Sequence, residues 1–150
     1  MIVKNEERCL ARCLHRVCRL ADRLILADTG STDRTKEIAG EYGAEVFDFP
    51  WKGDFSEARN FALSQSDGDW NLVLDADEYI HPIDRRELEA HISRISKKYG
   101  KKWIGGMEML DAWQKNGQTE VSRSRLPRLL PAGVTYQGRI HEQPKSAFPV

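Results

Sequence analysis

LILADTGSTDRTKEIAGEYGAEVFDF, residues 24–49, decides the fold class. Leu24–Ala27 is a continuous apolar run of the kind found in strands buried on both faces. Asp28-Thr-Gly-Ser-Thr-Asp33 is turn chemistry, with Ser31 or Thr32 placed to cap a helix running to about Tyr42. Gly43 stops that helix, and Val46–Phe49 is apolar and extended. Strand, helix and strand in this order imply a parallel pair with a helical crossover.

Working outward, the alternation continues. Upstream, Met1–Val3 is a short apolar strand end, Lys4-Asn5-Glu6-Glu7 a polar loop, and Leu10, Cys13, Leu14, Val17, Leu20 and Ala21 recur at helical spacing. Downstream, Asp54-Phe-Ser-Glu57 resembles a capping box, with Asp as the cap, opening a helix of Ala58, Phe61, Ala62 and Leu63. Trp70–Leu74 is a fourth strand. A helix follows from about Arg85 to Tyr99, with Leu88, Ile92, Ile95 and Tyr99 on one face and Gly100 at its end.

Beyond Lys101 the pattern changes to extended pieces, Trp103–Met109, Thr119–Arg125 and Val134–Ile140. Asn116-Gly117, Pro127, Pro131 and Gly133 interrupt them. The expectation is one α/β domain over residues 1–150, with a mostly parallel central sheet flanked by helices and an antiparallel C-terminal portion.

With 40% hydrophobic and 31% charged residues the chain has the composition of a globular domain. The formal charge of zero hides an asymmetry: residues 1–84 carry 10 Lys/Arg against 17 Asp/Glu, and residues 85–150 carry 13 against 6. That suits a metal-and-phosphate site with a cationic flank, and equally a chance clustering of solvated charge. No run of 18 apolar residues and no basic-then-apolar leader is present, so neither a membrane span nor a signal peptide is expected. Cys9, Cys13 and Cys18 fit no zinc or disulfide spacing and read as helix residues, Cys13 and Cys18 on the apolar stripe. A reduced, cytoplasmic chain is expected.

In an open parallel sheet, ligands bind beyond the carboxyl ends of the strands. Three clusters fall at such ends: Asn5-Glu6-Glu7, then Asp28 with Ser31, then Asp75-Ala-Asp77 after Leu72-Val-Leu74. Two aspartates at i and i+2 offer oxygens to one hard cation, which leaves sites for substrate phosphates. Alone, the motif reads rather as a solvated turn; its place after a strand, in register with Asp28, favours the site. Asp28 and the glycine after it suit the hydroxyls and base of a nucleotide, or simply a capped turn. Arg59 suits a phosphate, or an i,i+4 surface pair. His141-Glu142 joins a potential ligand to a potential base, or lies on the surface. No Gly-x-Gly-x-x-Gly follows the first strand and no P-loop is present.

"MIVKNEE", "ADTGSTDRTKEIAGEYGAEV", "WKGDFSEARNFAL", "GDWNLVLDADE" and "GRIHEQ", in this order, resemble the family 2 glycosyltransferases. The resemblance is to the bacterial branch that includes peptide S-glycosyltransferases and proteins with tetratricopeptide repeats. It implies a GT-A fold and inverting transfer from a nucleoside diphosphate sugar, usually UDP-linked, with Mn²⁺ or Mg²⁺. It places Asn5, Glu6 and Glu7 against the nucleoside, Asp28 at base or ribose, and Arg59 on the donor side. Asp77 becomes the direct metal ligand, Asp75 meets ribose or metal-bound water, and His141 completes the metal or phosphate site. Glu142, then Glu78, are the candidate bases, since inversion requires the acceptor to be deprotonated. Such relatives carry more of the first strand and continue past the His-Glu element, so the domain is expected to be shortened at both ends.

The acceptor is expected to be a glycan, a lipid-linked glycan or a peptide. A non-catalytic donor-binding module, self-associating or paired with another chain, is the alternative. A nucleotidyltransferase is a further one, although it usually brings an early glycine-rich basic loop that "VKNEERCL" lacks. Nucleic acid is not expected as a partner, because the basic second half has no aromatic-interleaved pattern.

Overall fold

The computed structural model describes residues 1–101 and 103–145. Strands β1 (Ile2–Val3), β2 (Ile25–Asp28) and β3 (Glu45–Asp48) form a parallel sheet in that order. Side chains alternate across it. Val3 and Leu26 face helices α1 (Leu10–Val17) and α2 (Thr35–Glu41), whose Leu10, Leu14, Val17, Ile38 and Ala39 complete one core layer. Ala27 faces the opposite side, against Ala58 and Ala62 of α3 (Phe55–Ser64). The small residues at 27, 58 and 62 let α3 sit close to the strand. Val3 pairs with Asp28 in register, so the loops after β1 and β2 leave the sheet at one edge, side by side.

The N-cap of α3 is Asp54, whose side chain accepts the Glu57 N–H at 3.1 Å. The expected cap at the start of α2 is absent. Arg34 stands at the N-cap position without a side-chain capping bond, and Asp33 accepts the Thr35 N–H instead. Helix α1 is shorter than its periodicity suggests, so Cys9 and Cys18 flank it and only Cys13 is buried.

Strand β4 (Trp70–Leu72) does not extend the parallel sheet. It pairs antiparallel with β6 (Gln118–Pro131), which also pairs with β5 (Gly105–Lys115). The separate extended pieces expected beyond Lys101 are thus mostly one long hairpin. Asn116 (φ 53°) and Gly117 (φ 78°) form its two-residue turn, both in the left-handed conformation a type I′ turn demands. Pro127 does not break β6. Gly105 pairs with Leu129 and Gly106 with Pro127, so one step along β5 spans two along β6, and Arg128 is the extra residue of a β-bulge. A proline inside a central strand is tolerated at such a bulge, where ladder pairing is interrupted.

Helix α4 (Arg85–Tyr99) opens on an Asp84 cap. None of its side chains is buried; Leu88, Ile92 and Ile95 are half-buried and Tyr99 is exposed. This stripe lines two cavities, of about 840 and 790 Å³. A two-stranded sheet of β7 (Thr135–Gln137) and β8 (Gln143–Lys145) completes the described chain. Among the described residues no helix is long and apolar enough to cross a membrane.

Candidate functional site

The loops after β1 and β2 are stitched together by side chains that cap each other's backbone. Asn5, left-handed at φ 56°, donates its N–H to Ser31 Oγ at 2.9 Å and accepts the Thr32 N–H at Oδ1, 2.8 Å away. The Glu6 N–H donates to Thr35 Oγ1 at 2.7 Å, the Glu7 N–H to Asp33 Oδ2, and the Arg34 N–H to Glu7 Oε2. Ser31 therefore serves the neighbouring loop rather than the helix start. Asp28 closes the pair of loops from below: its Oδ1 accepts the Gly30 and Ser31 N–H groups, each at 2.9 Å. Gly30 reaches this geometry with φ 107°, which other residues rarely adopt.

Asp28 is fully buried, and among the described residues its Oδ2 has no hydrogen-bond partner. Burial pushes its carboxyl up, but the bonds from Ser31 and Gly30 and the Lys36 charge outweigh that and hold it below the ordinary range. An ionised, preorganised carboxylate with a spare acceptor oxygen is suited to an N–H or O–H donor from a ligand.

A second cluster forms around Asp75. Past Leu72 the chain leaves β4, with the Val73 N–H donating to Arg128 O at 2.7 Å. It then turns at Asp75-Ala-Asp77-Glu78. The Asp75 N–H donates to Glu78 Oε2 at 3.0 Å and the Glu78 N–H to Asp75 O at 3.1 Å, so the two ends of the turn clasp each other. Arg59 Nη2 donates to Asp75 Oδ1 at 2.7 Å and Arg128 Nη2 to Asp75 Oδ2 at 3.0 Å. Arg59 Nε also donates to Glu142 Oε1 at 2.5 Å, and Arg128 Nη2 also donates to Glu78 Oε1.

The result is a chain of alternating charge: Glu142, Arg59, Asp75, Arg128, Glu78. Both arginines are 7% exposed. Charges this deep persist only when paired and hydrogen-bonded. Burial pushes Asp75 up, but Arg59 and Arg128 together hold it below the ordinary carboxylate range. Glu78 goes the other way. Burial raises it, the Asp75 charge adds to this, and Arg128 and the Asp75 N–H only partly offset the rise.

Arg59 reaches the cluster from the buried face of α3, so it is not a surface cation. Its guanidinium carbon lies 5.5 Å from the ring centroid of Tyr136, within cation–π range. The neighbouring Asn60 clamps that tyrosine's backbone, accepting its N–H at 2.6 Å and donating to its carbonyl at 2.9 Å. Arg59 and β7 are thereby fixed to each other.

Asp77 points outward. It is exposed, and no hydrogen bond or ion pair to it is formed among the described residues. His141 is exposed and left-handed at φ 57°. Glu142, next to it, is drawn inward onto Arg59. The described residues hold no group of three His, Cys, Asp or Glu side chains that could enclose a metal by themselves. What they offer a divalent cation is one exposed carboxylate, Asp77, beside a buried lattice of fixed charge. Such a donor set fits a hard cation that takes most of its oxygens from a bound diphosphate.

The structure thus gathers Arg59, Asp75, Glu78 and Glu142 into one network, and Asn5, Glu6, Glu7, Asp28 and Ser31 into a loop pair at the sheet edge. Arg128 is the member that sequence reasoning missed. The available signal was Pro127, a proline in an extended run immediately before an arginine.

The sequence pattern of Glycosyl transferase family 2 matches residues 1–130. A TPR repeat-containing protein of Synechococcus elongatus is 54% identical over 78 residues, covering 52% of this chain and 19% of that protein. The SPbeta prophage-derived glycosyltransferase SunS of Bacillus subtilis is 27% identical over 152 residues, covering 96% of this chain and 33% of its own length. The chain therefore spans a third or less of these relatives. Among solved structures, S. aureus TarS 1-349 in complex with UDP superposes with a TM-score of 0.54 at 21% identity, over 78% of this chain and 35% of that one. Glucosyl-3-phosphoglycerate synthase from Mycobacterium tuberculosis, in complex with Mn²⁺ and UDP-glucose, gives 0.50 at 22% identity, over 69% and 39%. The shared architecture is the GT-A fold, here with three parallel strands and antiparallel partners. By a family pattern running through most of its length, the chain belongs to glycosyl transferase family 2.

Proposed function

We propose that this chain binds a nucleoside diphosphate sugar, UDP-linked, and moves the sugar with inversion to an acceptor. The observation that carries this is the division of labour in one short turn. Asp75 and Glu78 are turned inward onto buried guanidiniums, and Asp77 alone is presented to the outside. Asp77, with the donor's phosphate oxygens, would hold Mn²⁺ or Mg²⁺, and the metal would neutralise the departing diphosphate. The unpartnered Asp28 oxygen and the loop of Asn5, Glu6, Glu7 and Ser31 would receive the nucleoside, and Asp75 the ribose. Arg59 supplies fixed positive charge behind the phosphates, and His141 would close the metal or phosphate site from the far loop.

Of the two candidate bases, Glu142 is the better placed. Both oxygens of Glu78 have partners, whereas only Oε1 of Glu142 is bonded among the described residues. Glu142→Gln is expected to abolish transfer while leaving donor binding intact; full turnover by that variant would remove Glu142 from the role. The acceptor class is a glycan, lipid-linked glycan or peptide, and the setting is cytoplasmic.

The test is thermal unfolding with UDP and with UDP-sugars, in Mn²⁺, Mg²⁺ or chelator. Metal-dependent stabilisation by UDP that disappears in Asp77→Ala supports the assignment. Indifference to every nucleotide in the presence of metal would sink it. One observation favours a second role, a donor-binding module without chemistry: both candidate bases are engaged by arginines. Donor binding with no release of UDP from UDP-sugar, by transfer or hydrolysis, would select it.

A further inference from the structure

We propose that Arg128 is a positioning residue for the metal-facing turn. Delivered by the β-bulge, its Nη2 ties Asp75 to Glu78 and so holds Asp77 outward, an inference that rests on Asp77 as the cation's carboxylate.

Three carboxylates within four residues repel one another, and without a cation behind them the turn has no reason to keep two in and one out. Glu78 spans the turn, one oxygen on the Asp75 N–H and the other on Arg128. Asp75 has its second oxygen on the same Arg128 nitrogen. That single nitrogen therefore joins the first and last residues of the turn. Arg59 cannot substitute, because it reaches Asp75 and Glu142 but makes no bond to Glu78.

The geometry is built rather than incidental. Side chains of a regular strand alternate between faces, and a one-residue shift reverses every later one. Beyond the extra residue Leu129 and Leu130 are regular ladder residues on opposite faces of β6, both buried, and Arg128, just before them, enters the site. Opposite the bulge stand Gly105 and Gly106. A Cβ on Gly105 would lie 2.9 Å from Leu129 Cβ, and one on Gly106 would lie 2.8 Å from Arg125 Cγ and Cδ. The glycine pair makes the room that the bulge occupies. Arg128 Nε meanwhile is buried with no partner among the described residues. Leaving a buried donor unpaired is costly, and it is tolerated where something other than stability selects the group's position.

The experiment is titration calorimetry of UDP binding at a temperature where each variant is folded, once in Mn²⁺ and once in chelator. For Arg128→Met, metal-dependent affinity is expected to fall by about tenfold or more, the scale of losing a residue that orients a metal ligand. Affinity in chelator should fall far less, because Asn5, Glu6, Glu7, Asp28 and Ser31 do not touch Arg128, and Asp75, which would meet the ribose, keeps Arg59 on its other oxygen. Arg128→Lys, which returns a charge to the same place, should recover part of the loss. Glu78→Gln, which keeps an oxygen for the Asp75 N–H but withdraws the charge facing Arg128, should repeat the pattern, and it decides the matter if Arg128→Met does not fold. Equal loss in both conditions, or no loss in either, overturns the positioning role. A parent protein blind to UDP with and without metal overturns the donor-binding assignment as well.

Discussion

Asp75→Asn and Asp77→Asn are neighbouring, isosteric changes that should have opposite consequences. Asp75 receives a guanidinium on each oxygen, at 2.7 and 3.0 Å. Asparagine keeps one acceptor and aims an NH₂ at the other arginine, donor against donor. Breaking a buried ion pair by removing one partner typically costs about 3–5 kcal/mol, because a charge is stranded. The Asp75 side chain is itself 35% exposed, so water screens part of the loss and the low end, about 3 kcal/mol, applies. For a domain of this length 1 kcal/mol moves the midpoint by roughly 2–4 °C, so Asp75→Asn should melt about 6–12 °C early. Asp77 has no described partner, and its replacement should stay within about 0.5 kcal/mol of the parent. Calorimetry and urea unfolding without ligand measure both. In the presence of Mn²⁺ and UDP the ranking changes: Asp77→Asn should lose the ligand-induced rise although its bare stability is unchanged. Equal melting of the two variants without ligand, or a lower midpoint for Asp77→Asn, would refute the division of the turn into an inward and an outward carboxylate.

Acid stability offers a separate test. The folded carboxyl of Asp28 is held below its unfolded value of about 3.9, so it contributes stability above that pH and loses it as pH falls through the lower folded value. Asp28→Asn should therefore flatten the fall of the urea midpoint on acidification below about pH 4, relative to the parent. Glu78 is raised, so its contribution is complete below its unfolded value of about 4.3 and is lost as pH rises through the folded one. Relative to the parent, Glu78→Gln should accordingly fare better at neutral pH than at pH 4. In the core, Leu14 is fully buried between α1 and the sheet, and Leu14→Ala should cost about 2–5 kcal/mol by chemical denaturation. Asn5→Ala removes the acceptor of the Thr32 N–H and puts at φ 56° a residue that tolerates the left-handed region less well than asparagine, for a loss of about 1–3 kcal/mol. Asn5→Gly, which relieves the backbone but not the bond, should lose less.

The parallel unit from Leu24 to Asp48 is legible because its signals are local: an apolar run, turn residues, a helical period and Gly43. The Asp54 cap is legible for the same reason. The charge network is not, since its ion pairs join residues 16 to 83 positions apart and only folding makes them neighbours. Arg128 was hidden twice over. Pro127 reads as the end of a strand when taken alone, and only the partner strand shows that it marks a bulge. The start of α2 was misassigned because Ser31 has the chemistry of a cap, but a distant backbone N–H, that of Asn5, claims its hydroxyl. Periodicity groups Leu88, Ile92, Ile95 and Tyr99 on one face of α4, and that stripe is only half-covered, because period reports which residues share a face and not what covers it.

The outer part of the β5–β6 hairpin is bare on both faces, with Leu110, Trp113 and Val121 in solvent. Its turn is an exposed Asn116-Gly117 pair. A glycine after asparagine leaves the backbone nitrogen unshielded, so the side-chain amide can cyclise onto it with loss of ammonia and reopen as aspartate or isoaspartate. Stored samples will therefore drift toward a more acidic mixture from this one position. Since the hairpin tip is exposed among the described residues, the ageing would appear in charge and mass well before it appeared in melting temperature.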